Sequence, residues 1–226
     1  MKMILIYLIS LLFFVAGSFG QQKFCGLKYK DTSFIREQLN VPLAFLKINN
    51  GDTVIDIGTS SGAYIGAICT IALFSNVHFI GVDIDSNCLN PIKVNNMFSY
   101  YQALYGASFS NTFSFVINTA DSLYLPLNCY KKILIINTLH EIPDKEKIAR
   151  QIVAVLKIGG ELIVGEIPPT GKRTIHQGCN QPLMGVEEIV NLFTRFGFKF
   201  IEKENVQGEK HKDKHPIYYY RFVKIE

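Results

Sequence analysis

The stretch Asp56-Ile57-Gly58-Thr59-Ser60-Ser61-Gly62 follows the apolar run Thr53-Val54-Ile55 and leads into a helix-like segment from Ala63. Strand, glycine turn and helix in that order let the backbone approach a ligand and aim helix N-terminal N–H groups at it. A bare strand-to-helix turn with no ligand satisfies the same pattern. The dinucleotide fingerprint is G-x-G-x-x-G. Here Gly58-x-Ser60-x-Gly62 lacks the second glycine that a pyrophosphate needs and closes one residue early, so a dehydrogenase is disfavoured. Asp56 points the same way, because a carboxylate there repels a diphosphate and suits a ligand bearing an ammonium.

The next apolar run ends as Phe79-Ile80-Gly81-Val82-Asp83-Ile84-Asp85. Asp83 therefore stands about twenty residues after the turn, where a carboxylate accepts hydrogen bonds from ribose hydroxyls. Asp85 with Ser86 is placed to cap the following helix. A third run closes on Asn118-Thr119-Ala120-Asp121-Ser122-Leu123, where Asp121 suits either an adenine amino group or a helix cap.

Outward from these turns the chain alternates. Strand-like runs at 54–57, 77–82, 113–117, 133–136 and 162–164 are separated by helix-length segments, the pattern of parallel strands with crossovers. Before them, 32–47 reads as a helix interrupted or restarted at Pro42, with Asp31 or Thr32 as its cap. Ser61 or Gly62 opens a helix, Ser86 caps another before Pro91, and Pro143-Asp144 leads 145–156. In the last, Ile148, Ile152, Val155 and Leu156 share a face and Gly159-Gly160 is the expected stop. A helix over 186–196 is closed by Gly197, and the runs 199–205 and 218–225 then follow without a helix between them, predicting an antiparallel pair. The fold class expected is α/β: a single Rossmann-like domain whose seven-stranded, mostly parallel sheet ends in an antiparallel C-terminal β-hairpin.

A chain of 226 residues with 48% hydrophobic and 19% charged residues fits one domain with a sizeable core. A net charge of +4 is too small to argue for nucleic acid. Residues 3–20 are uncharged, and Ser18-Phe19-Gly20 offers small residues where a signal peptidase reads, so 1–20 is expected to be a signal peptide cleaved before Gln21. The same run approaches bilayer-spanning length, which keeps an uncleaved membrane anchor open. The organisation expected is this leader, an N-terminal helical segment at 21–49 and the main domain at 50–226, in a secreted or membrane-anchored protein. Cys25, Cys69, Cys88, Cys129 and Cys179 form no C-x-x-C and indicate neither a disulfide framework nor a zinc module. Cys69 and Cys88 read as packing residues. His211 and His215 have i, i+4 spacing in a polar loop, and His176 with Cys179 lies in the segment after the fifth strand; neither pair predicts a metal.

Taken together and in order, DIGTSSG, GVDID, the AD of NTADSL, NTLHEIPDKEK, VLKIGGELIVGE and the hairpin after FGFKF resemble the class I S-adenosylmethionine-dependent methyltransferases, from about Asn50 to the C-terminus. The resemblance implies that Asp56, Gly58, Ser60 and Gly62 cradle the methionine part of that cofactor, that Asp83 binds its ribose and that Asp121 contacts adenine. Ser60 departs from the glycine common in the family. Thr138 to Asp144 is similar to the L-H-[DE]-x-x-D stretch of small-molecule O-methyltransferases, which implies a general base at His140 oriented by Glu166. The dimerisation domain of those enzymes and a second glutamate have no counterpart here, and a structural role remains the other reading of both His140 and Glu166. The implied activity is methyl transfer to a small-molecule acceptor. An exported domain binding a nucleoside-like ligand without catalysis is the alternative.

Overall fold

The computed structural model describes residues 25, 26, 28–207 and 216–225. The predicted leader and the pair His211 and His215 lie outside the described residues. The order is α1 (Thr32–Leu46), β1 (Thr53–Ile57), α2 (Ala63–Cys69), β2 (His78–Asp83), α3 (Pro91–Tyr105), β3 (Thr112–Ile117), β4 (Tyr130–Ile136), a 3-10 turn (Leu139–Glu141), α4 (Lys145–Val155), β5 (Leu156–Glu166), α5 (Val186–Thr194), β6 (Phe198–Asn205) and β7 (Tyr218–Lys224). One seven-stranded sheet runs β3-β2-β1-β4-β5-β7-β6. The first five strands are parallel, and β7 is antiparallel to both β5 and β6.

The central strands are apolar on both faces because both faces are covered. Ile55, Ile57, Ile133 and Ile135 meet α4 and α5 through Ile148, Ile152, Ile189 and Phe193. Val54, Leu134, Ile163 and Phe79 meet α1, α2 and α3 through Ile35, Ile65 and Met97.

Local expectations differ in four places. First, α1 runs unbroken through Pro42, whose ring is buried, so packing outweighs the helix bond that proline cannot make. Second, α3 is capped by Asn90, whose Oδ1 accepts the Lys93 N–H at 3.1 Å, and not by Ser86. Pro91 is preset for the first helical turn, which fixes the cap one residue before it. Third, α4 stops at Val155, because Leu156 is already extended and opens β5. Gly159-Gly160 thus lies inside the strand, with Gly159 at a φ of +76°.

The fourth difference is covalent. Cys25 and Cys88 are joined by a disulfide across a separation of 63 residues, so Cys88 is not a packing residue. It ties the chain before α1 to the turn before α3. The far end of α1 is held by buried cations. Lys132, 6% exposed, donates from Nζ to the carbonyls of Leu46 and Lys47 at 2.7 and 2.9 Å and pairs with Glu161 at 2.7 Å. Arg221 donates to the Phe45 carbonyl and pairs with Glu161 and Glu202. Helix-end carbonyls lacking an intrahelical partner are satisfied in this way.

Candidate active site

In this strand order β1 has β2 on one side and β4 on the other, so the chain departs in opposite directions from neighbouring strands and leaves a crevice at their carboxyl ends. A cavity of about 800 Å³ occupies that crevice, within the range of small-molecule and cofactor sites. Its walls come from residues 58–60 after β1, 83–85 at the end of β2, 118–120 after β3, 136–138 at the end of β4 and 165–167 at the end of β5. The N-terminal segment roofs it with Tyr29, Gln38, Leu39 and Pro42, and Tyr219 of β7 adds to one side. The N-terminal helix is expected at an acceptor pocket in such folds, but nothing local in α1 announces which of its residues face the cavity.

The glycine turn is built by backbone geometry. Gly58 and Gly62 take φ of +77° and +80°, and Ser60 takes +55°. A Cβ on Gly58 would fall 2.2 Å from Thr138 Cγ2, and one on Gly62 would fall 2.7 Å from Met97 Cε. Gly58 is therefore demanded by close packing as well as by φ, and Gly62 chiefly by φ, since the Met97 methyl can give way. The Ser60 N–H donates to Asp83 Oδ2 at 2.7 Å, and the Asp85 N–H donates to Oδ1 at 2.9 Å. Each carboxylate oxygen retains a lone pair for a ligand. Gly58, Ser60 and Asp83 line the cavity, whereas Gly62 and Asp56 stand behind its wall. Asp56 is 3% exposed. Burial pushes its carboxyl up to about 7, with the Thr59 hydroxyl opposing and the charge of Asp83 adding.

Asp121 is not brought to the cavity. Its side chain is 74% exposed and pairs with Lys147 at 2.7 Å, while Asn118, Thr119 and Ala120 form the wall at the tip of β3. The adenine contact that the resemblance implies for Asp121 does not fit this placement.

At the other end of the crevice, His140 and Glu166 meet as expected. Glu166 Oε2 lies 2.8 Å from His140 Nδ1, and Oε1 accepts the His140 backbone N–H at 3.2 Å, with both side chains fully buried. Glu166 lines the cavity and His140 does not. The β5-to-α5 segment folds back over the 3-10 turn, so that the His176 ring lies 4.5 Å from that of His140. Burial, then the charges of His140 and Arg173, hold the His176 imidazole below its ordinary range. Cys179 Sγ is 3.1 Å from His176 Nδ1.

A methyltransferase-domain family model matches residues 48–207. The chain belongs to this family, the class I methyltransferases. Among solved structures, a chain from the complex between the Haloferax volcanii Trm112 methyltransferase activator and the putative methyltransferase is 15% identical, with a TM-score of 0.64, covering 86% of this chain and 92% of that one. A SAM-dependent methyltransferase from Aquifex aeolicus is 15% identical, with a TM-score of 0.61, over 87% of this chain and 100% of its own. Phosphoethanolamine N-methyltransferase 2 of Haemonchus contortus, in complex with S-adenosyl-L-methionine, is 17% identical, with a TM-score of 0.59, over 84% and 53%. At these identities the likenesses speak for the fold. No curated protein matches the sequence.

The buried carboxyl of this methyltransferase gives a pH signature. Its folded value of about 7 lies above the ordinary 3.8, so the folded state keeps a proton that the unfolded chain releases. Asp56 therefore lowers stability progressively as pH rises through that window. Denaturant midpoints for wild type and Asp56→Asn, compared at several pH values, should diverge in favour of the variant from about pH 4 to about pH 7. A pH-independent difference would contradict the assignment.

Proposed function

We propose that this methyltransferase moves a methyl group from S-adenosylmethionine to a small-molecule acceptor in the cavity at the carboxyl edge of the sheet. The observation that carries the reading is the convergence on one cavity of the 58–60 turn, the Asp83 carboxylate and residues 118–120. A phosphate-free adenosyl ligand needs such a set: a carboxylate for ribose hydroxyls, backbone polar groups for adenine and a close-approach turn for an amino-acid tail. When bound, the cofactor supplies a methyl group on a positively charged sulfur. Gly58 and Ser60 offer the close backbone approach, and Asp83 both fixes their turn and faces the cavity. Asp56 and Gly62 shape this wall from behind.

The acceptor end is walled by Glu166, Ile142 and Tyr219 beneath the α1 roof. That enclosure, together with the small net charge, supports a compact acceptor over a nucleic acid. Catalysis there rests chiefly on positioning. Glu166 lies at the cavity wall with its carboxyl turned inward, both oxygens held by the His140 backbone N–H and ring Nδ1. Direct proton transfer to His140 requires its buried Nε2 to reach the cavity, which Glu141 lines and His140 does not.

We further infer that the protein works in an oxidising, extracytoplasmic compartment. The uncharged run at 3–20 and the Cys25–Cys88 disulfide both support this, since such bonds persist outside the reducing cytosol. The mass of the mature chain should correspond to a start at Gln21; an intact leader would contradict cleavage and favour an anchor.

Binding is tested by calorimetry with S-adenosylhomocysteine, the demethylated cofactor. Wild type should bind, and Asp83→Ala should bind about a hundredfold more weakly, the loss of two charge-assisted hydrogen bonds. Circular dichroism checks that the variant is folded. Equal affinity in both proteins, or none in wild type, would overturn the reading.

A further inference from the structure

We propose that His140, Glu141, His176 and Cys179 form a binding site for a Zn2+-type cation beside the acceptor end of the cavity. One ligand atom from each residue lies within 4.8 Å of the other three. Tetrahedral coordination with metal–ligand bonds of 2.0 to 2.3 Å would set these atoms about 3.3 to 3.8 Å apart, so small side-chain movements close the site. This inference does not rest on methyl transfer; the four residues stand together whatever the cavity binds.

The strongest sign is an unsatisfied atom. His140 is 2% exposed, and its Nε2 has no hydrogen-bond partner. The nearest charged group is Glu141, with Oε1 at 3.7 Å, too far for a hydrogen bond. A buried imidazole nitrogen without a partner is costly, and an ion is one of the few things that removes the cost. On the ring's other side, Glu166 accepts from Nδ1 at 2.8 Å. That bond fixes the tautomer with its proton on Nδ1 and turns the Nε2 lone pair toward Glu141, His176 and Cys179. A carboxylate behind a histidine in this way is the usual support of a zinc-bound imidazole.

The backbone delivers the other ligands. The 3-10 turn after β4 places His140 and Glu141 consecutively. Around residues 176–181, the His176 N–H donates to Gln181 O and the Asn180 N–H donates to His176 O, a tight turn that brings His176 and Cys179 to one side. Two imidazoles, a thiolate and a carboxylate suit zinc and do not suit magnesium or calcium, which take all-oxygen shells. Four protein ligands fill a tetrahedral shell, so the ion ties the β5-to-α5 segment to the turn after β4 and fixes the acceptor-side wall through Glu141. With the metal bound, Nε2 is a ligand and accepts no proton from a substrate.

The competing account is a simple hydrogen bond between Cys179 and His176, and titration separates the two. Full-length protein is stripped with chelator without reductant, then titrated with Zn2+ by calorimetry and with Co2+ by absorption. One equivalent should bind, and cobalt should show a thiolate-to-metal charge-transfer band. Cys179→Ser should lose that band, and His176→Ala should weaken binding at least about tenfold, both with wild-type circular dichroism. In unmutated protein, Zn2+ should also protect Cys179 from alkylation, mapped by mass spectrometry, so the test survives a misfolded variant. Absence of stoichiometric binding, or binding with no thiolate band and no protection of Cys179, as a site at His211 and His215 would give, overturns the proposal.

Discussion

Everything at the functional edge follows from β1 lying between β2 and β4. A strand flanked in this way sends its chain into α2 on one face, while β4 sends its own into α4 on the other. The helices cannot close over the sheet edge they leave between them, and the crevice is as obligatory as the sheet. Polar side chains at strand ends gather there because the strands themselves must be apolar. Asp83 then does two jobs with one carboxylate, fixing the Ser60 turn and facing the cavity.

The remaining open side of the crevice is closed by the chain that precedes the sheet. The roof needs α1 held at both ends, and two unlike devices hold it. Buried Lys132 and Arg221 donate to the last carbonyls of the helix and so tie it to the sheet. The Cys25–Cys88 disulfide fastens the segment before it beside the cavity, which Cys88 itself lines. The N-terminal segment is therefore part of the site's construction as well as its cover.

Most of the sheet was legible because its signals are local. Double-faced burial turns β1 and β4 into apolar runs, and a turn with glycines at positive φ can be recognised from seven residues. The carboxylate at Asp83 was readable from its distance to that turn, whereas the His140–Glu166 pair came only from the resemblance of Thr138 to Asp144 and of Glu166 to small-molecule O-methyltransferases. Asp121 misled because spacing fixes a backbone position and not a side-chain direction; Lys147 draws the carboxylate outward. The helix caps failed by a few residues where a stronger neighbour, Pro91 or the extended Leu156, decided the boundary. The disulfide and the association of His176 and Cys179 with His140 are contacts between distant segments. No period or motif in the chain encodes them, and they emerge only when the β5-to-α5 segment and the N-terminal chain fold back on the sheet.

The central claim is that the crevice beside β1 is an adenosyl site. A crystal structure of the protein with S-adenosylhomocysteine tests it most directly. The account predicts ligand density in the crevice, with the ribose hydroxyls on the Asp83 carboxylate, adenine against residues 118–120 and the amino-acid tail over the 58–60 turn. Density elsewhere, or a ribose that makes no contact with Asp83, would contradict it.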